Sequence, residues 1–169
     1  RDFTQRVQFL SPEEVNKFQN KFFGPIIDCI NRNDGLINQL MGDGLMATFT
    51  SIDNEMHEEK AYQAACEILQ KIEDMNAQSE DDIKIGIGVH SGEIIAGNIG
   101  TEERRQFSIS VIPVITAARL EQMTKDYDCS FLVSMDFYNK IKHISKNGSS
   151  LGMVKLKGLD QHMELIKLA

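Results

Sequence analysis

The sequence predicts an α/β fold, an α+β sandwich in which helices cover a sheet. Three observations predict it. A capping box opens a helix at Ser11-Pro12-Glu13-Glu14, Met41-Gly42-Asp43-Gly44 is a hairpin signal, and Ile83-Lys84-Ile85-Gly86-Ile87-Gly88-Val89-His90 alternates as a strand does. Helix, hairpin, helix and strand in that order make most of the β-α-β-β-α-β series of a ferredoxin-like core. The strand that should precede the first helix is truncated, its stump being Arg1-Asp2-Phe3-Thr4.

Each element follows from local signals. Pro12 at the first helical position and the capping box fix the start of the first helix. Val15, Phe18, Phe22, Ile26 and Ile30 recur at intervals of three and four and give it one apolar face. Gly24-Pro25 predicts a kink or break within it. Two short apolar runs, within Ile37 to Phe49, flank the Gly-Asp-Gly turn. A second helix spans about Met56 to Met75, and Ala61, Ala64 and Ala65 suggest close packing on a sheet. Glu80-Asp81-Asp82 is a solvated loop before the alternating strand. Ser91-Gly92-Glu93 then turns the chain into Ile94-Ile95-Ala96-Gly97, a second hairpin. Phe107 to Ile112 reads as a strand, and Pro113 opens a helix through Glu121. The C-terminal additions are a strand at Ser130 to Val133, a helix near Phe137 to Ile144, and strands at Met153 to Leu156 and Met163 to Ile166.

A hydrophobic content of 41% over 169 residues suits one domain, residues 1–169, with a core of its own. The net charge of −7 argues against nucleic acid or an anionic membrane as the main partner. Three cysteines without a C-x-x-C pair point to a reduced, cytoplasmic setting, and the four histidines lack ligand spacing. No run approaches the ~20 apolar residues of a membrane helix. Arg1 begins in mid-pattern without an initiator Met, as expected of a fragment of a longer protein that could be membrane-anchored upstream.

Asp43 is the candidate with the clearest chemistry. A carboxylate between two permissive glycines can hold a divalent metal against a phosphate, although a tight turn with Asp43 bonded to its own backbone uses the same residues. An acidic chain can bind a nucleoside triphosphate if metal ions and a few cations sit at the phosphates.

Taken together, the motifs resemble the catalytic domain of class III nucleotide cyclases, the adenylate and guanylate cyclase family. Arg1-Asp2-Phe3-Thr4 is similar to the end of the family's Asp-Ile-Arg-Gly-Phe-Thr motif, Ser11 to Val15 to the start of its first helix, and Met41 to Ala47 to its metal hairpin. Ile85 to Glu93 with Gly97-Asn98-Ile99-Gly100 matches its most distinctive stretch. Ala117-Ala118-Arg119-Leu120-Glu121 and Lys155-Leu156-Lys157-Gly158 complete the series in order.

The resemblance implies a homodimer with active sites across its interface, acting on a nucleoside triphosphate and coupled to an upstream regulatory or sensor domain. Two aspartates of one subunit would hold two divalent metal ions, Mg or Mn, for in-line attack of the ribose 3′-hydroxyl on the α-phosphate, yielding cyclic nucleotide and pyrophosphate. Asp43 matches the second metal aspartate, Arg119 the transition-state arginine and Lys157 the triphosphate lysine. Backbone amides of Phe3, Thr4, Met41 and Gly42 match the phosphate cradle, and Gln39 and Ser108 stand at the base-reading positions.

There are departures from the family pattern. The first metal aspartate is absent from this chain, and Asp2 is displaced too far to replace it. The ribose-orienting Asn position carries Ile115, preceded by Val111-Ile112-Pro113 where a polar segment is usual. Two readings therefore stand. In one, the parent protein is a cyclase acting on ATP more than GTP, and this fragment is inactive or weakly active. In the other, a degenerate cyclase-fold module binds nucleotide or dimerises for regulation without turnover. Arg119 could also be a surface helix charge and Lys157 a solvated strand-end residue, while His90 reads as structural.

Overall fold

The computed structural model describes residues 1, 3, 7–50, 56–79, 82–94, 96–100, 105–109, 111–145, 148–160 and 162–169. They form two compact units, Arg1–Ile85 and Gly86–Ala169.

The first unit contains α1 (Pro12–Arg32), β1 (Leu36–Met41), β2 (Gly44–Thr48) and α2 (His57–Ala77). The capping box is formed: the Ser11 amide donates to Glu14 at 2.8 Å and the Glu14 amide to Ser11 Oγ at 3.3 Å. The hydrogen bond from the Ser11 amide, then that from the Ser11 hydroxyl, holds the Glu14 carboxyl below its ordinary pKa. α1 runs unbroken through Pro25, so the break allowed for at Gly24-Pro25 does not occur. The reason is energetic. An interior proline costs ~3 kcal/mol, whereas Phe23, Ile26 and Ile30 are buried around it at roughly 1.5–3 kcal/mol each.

The alanine face of α2 (Ala61, Ala64, Ala65, with Ile68 and Ile72) is buried, and α2 packs on α1. A polar clasp ties the C-terminal end of α1 to the middle of α2. Asn33 Nδ2 donates to the Cys29 carbonyl at 2.9 Å and to Glu67 at 3.2 Å, and Arg32 meets the other Glu67 oxygen at 2.9 Å. The hydrogen bond from Arg32, then that from Asn33, lowers the Glu67 pKa.

The second unit is built on a four-stranded sheet of order β3-β6-β8-β7, with β3 (Ile87–Val89) parallel to β6 (Phe131–Ser134). β8 (His162–Lys167) runs antiparallel to both β6 and β7 (Ser149–Lys155). β6 is buried throughout, which suits its apolar run Phe131-Leu132-Val133. Leu120, Cys129, Leu132, Leu156 and Leu165 form the core with α3 (Val111–Met123), and Phe137 and Ile141 seal α4 (Met135–Ile141) against it.

One pairing differs from expectation. β4 (Ala96–Gly100) pairs antiparallel with β5 (Arg105–Ile109) rather than folding back onto β3. β3 instead pairs with β6, beginning with the Ile87 amide on the Ser130 carbonyl at 2.8 Å. Alternating apolar residues specify a strand but not which edge it pairs with.

Helix α3 lies against the backbone of β3. A Cβ on Gly88 would collide with the Glu121 amide and the Ala117 carbonyl, and would sit 2.9 Å from Glu121 Cα. Only glycine permits that approach. The strand thereby fixes the helix that carries Arg119.

Candidate active site

Register places Met41 opposite Gly44 and Leu40 opposite Leu45, so Gly42 and Asp43 form a two-residue hairpin loop. Gly42 takes φ +58° while Asp43 keeps an ordinary negative φ, which suits glycine at the first central position. Asp43 is exposed at the tip. Gln19 of α1 donates from Nε2 to the Gly42 carbonyl at 3.0 Å. The Gly42 carbonyl and the Asp43 amide share one peptide plane and point opposite ways, so this bond also directs the Asp43 N–H. Gln19 carries no sequence signal for that role, because its partner is far away in the chain.

Beside the tip is a cleft lined by Arg1, Phe3, Phe18, Phe22, Asp43 and Ile83. The Phe3 and Phe18 rings lie 6.1 Å apart, tilted by 40°. The structure thus brings Asp43 and Phe3 to one place. Met41 and Gln39 are exposed on β1, with a bulge between Ile37 and Gln39. Thr4 lies outside the described residues, and Ser108 is placed only by its backbone, paired with Gly97.

In the second unit Arg119 and Lys157 come together. Arg119 Nε donates to the Lys157 carbonyl at 3.1 Å, and Nη1 to Gln122 Oε1 at 2.7 Å. Lys157 sits in a turn closed by the Leu159 amide on the Leu156 carbonyl at 3.0 Å, with Gly158 at φ +82°. Ile115 and Arg119 are four residues apart and share a helix face. His90 Nδ1 lies 2.8 Å from Ser134 Oγ, and Ser134 caps α4 by accepting from the Phe137 amide at 3.3 Å. Burial lowers the His90 pKa, with the Asp136 carboxylate partly opposing. Burial thus favours the neutral imidazole, and its hydrogen bond joins the end of β3 to the start of α4.

Among the described residues no group of three His, Cys, Asp or Glu side chains forms a metal cage. The single exposed carboxylate of Asp43 is part of a donor set suited to magnesium or manganese. Such an ion is commonly held by one or two carboxylates with phosphate oxygens completing its shell, and Asp43 offers one hard oxygen donor in the open. Among the described residues no helix is long and apolar enough to cross a membrane.

The model of the adenylate and guanylate cyclase catalytic domain matches residues 1–167. The chain belongs to that family. This cyclase domain is 34% identical over 166 residues to the uncharacterized protein Rv1318c of Mycobacterium tuberculosis, a match covering 97% of the chain and 30% of that protein. It therefore spans about 30% of the length of the curated relatives it matches. Among solved structures it is similar to the guanylyl cyclase Cya2, with a TM-score of 0.79 and 26% identity over 100% of this chain and 87% of that one. The adenylyl cyclase CyaB from P. aeruginosa gives a TM-score of 0.81 at 22% identity, covering 100% and 89%. The fold is the class III cyclase fold that the motifs imply.

Proposed function

We propose that this domain is the catalytic part of a nucleotide cyclase that converts ATP, and less readily GTP, to a 3′,5′-cyclic nucleotide and pyrophosphate between two copies. The observation that carries the reading is Asp43, exposed on a hairpin tip pinned by Gln19 and adjoining the cleft that Phe3 lines. When bound there, a divalent metal would acidify the ribose 3′-hydroxyl and offset triphosphate charge. Asp43 would hold it. The amides of Phe3, Thr4, Met41 and Gly42 would cradle the phosphates, and Gln39 and Ser108 would meet the purine edge. From the other copy, Arg119 would face the charge that develops at the α-phosphorus, and Lys157 the departing pyrophosphate. The 3′-hydroxyl would give its proton to solvent, its oxygen would bond to that phosphorus, and the bond to the bridging oxygen would break with the electron pair leaving on pyrophosphate. Positioning and charge carry the reaction, without a covalent enzyme intermediate. Relatives in fold include both an adenylyl and a guanylyl cyclase, and Gln39 and Ser108 each offer donors and acceptors to either purine edge.

One observation favours a second reading, a module that binds nucleotide or dimerises without turnover. Ile115 shares the face of Arg119 and offers no hydrogen bond to a ribose, and the neighbouring Ile112 is 59% exposed. Product analysis of the full-length protein with Mn²⁺ and each of four nucleoside triphosphates separates the two. The cyclase reading expects cyclic AMP that disappears in Asp43→Ala. Undiminished product from that variant would remove the metal assignment, and nucleotide binding without product would favour the module.

A further inference from the structure

We propose that Gln122 and the Lys157-Gly158 turn are positioning elements that hold the Arg119 guanidinium in place without neutralising it; this rests on the reading of Arg119 as the cation facing the transition state. An unrestrained arginine samples many rotamers, and freezing them when a phosphate arrives would subtract from the interaction. Here the freezing is done in advance. Nε is bonded to the Lys157 carbonyl at 3.1 Å and Nη1 to Gln122 Oε1 at 2.7 Å. Both protons of Nη2 and one of Nη1 are left over from those two bonds.

The chemistry of the two acceptors matters as much as their geometry. Both are neutral oxygens. A carboxylate at position 122 would orient the guanidinium as well but would cancel its charge, whereas an amide orients it and leaves the charge for an anion. The backbone is shaped to supply the other acceptor. Positive φ at Gly158, the second central residue, is the mark of a type II turn, in which the carbonyl between the central residues stands out from the loop. That carbonyl belongs to Lys157, and the turn is anchored by Leu156, which is 1% exposed. Gln122 follows Arg119 by one helical turn and reaches it along the helix face. A single turn thus bears the Lys157 ammonium and fixes Arg119.

The test pairs a spectroscopic readout with kinetics of the full-length protein. In ¹⁵N-labelled protein the Arg119 Nη1–H bonded to Gln122 should exchange slowly with water and should lose that protection in Gln122→Ala. The same variant should lower kcat about tenfold with the nucleotide KM within about twofold. Gln122→Glu should keep the slow exchange yet lower kcat at least as far, because the charge is paired. Equal exchange in wild type and Gln122→Ala, or a change confined to KM, would overturn the proposal. If Arg119→Ala leaves kcat intact, the reading of Arg119 itself falls, while the exchange data still report whether Gln122 holds the side chain.

Discussion

Ile115 and Arg119 present an apolar and a cationic group to the same space, one helical turn apart. If the missing ribose contact limits turnover, Ile115→Asn should raise product formation by up to ~10²-fold, the worth of one well-placed donor. An unchanged rate would place the limit elsewhere. His90 yields a second prediction. Its folded-state pKa lies below the ordinary 6.5, mainly through burial, so the folded protein binds fewer protons than the unfolded chain. The stability this confers is complete above the unfolded value and is lost as pH falls through the folded one. Melting temperature should therefore drop on acidification below 6.5, and His90→Gln should flatten that drop. An identical pH profile in both proteins would contradict the assignment. Asp43, Arg119 and Lys157 each sit inside a motif of fixed spacing, and the roles proposed for them rest on that match. Gln19 and Gln122 were not legible in the sequence, since nothing local marks a glutamine as the partner of a distant carbonyl or a neighbouring guanidinium.

At the scale of elements, the close approach of α3 to β3 makes Gly88 irreplaceable. Gly88→Ala would drive its methyl into the Glu121 amide and the Ala117 carbonyl, which are backbone and cannot rotate away. It should destabilise the domain by about 1–3 kcal/mol, as overpacking does, read in denaturant unfolding; a neutral result would show that α3 can shift. Pro25→Ala should act in the opposite sense. It restores a donor inside a continuous helix, and should raise stability by about 1–3 kcal/mol. The helices were readable from a capping box and a period near 3.6 residues, signals that lie wholly within each segment. The pairing of β3 with β6 was not, because edge choice depends on which strands arrive from far along the chain. The continuity of α1 through Pro25 was hidden for a similar reason: burial by tertiary packing overrode a local breaker.

For the whole molecule, a net charge of −7 sets the terms on which a triphosphate can bind. In the proposed reading the anion is met locally, by Arg119, by Lys157 and by a metal at Asp43. Activity should accordingly vanish on chelation and return with Mg²⁺ or Mn²⁺ but not with Ca²⁺ alone, whose larger, looser shell suits the site less; activity that persists in chelator would contradict the proposed site. The proposed site needs two copies, with Asp43 supplied by one and Arg119 by the other. Mixing two separately inactive variants tests that claim most directly. Asp43→Ala combined with Arg119→Ala should regain about a quarter of the wild-type rate, because half the dimers are mixed and each holds one intact site. A mixture that forms mixed dimers yet stays as inactive as its components would contradict a site shared between copies.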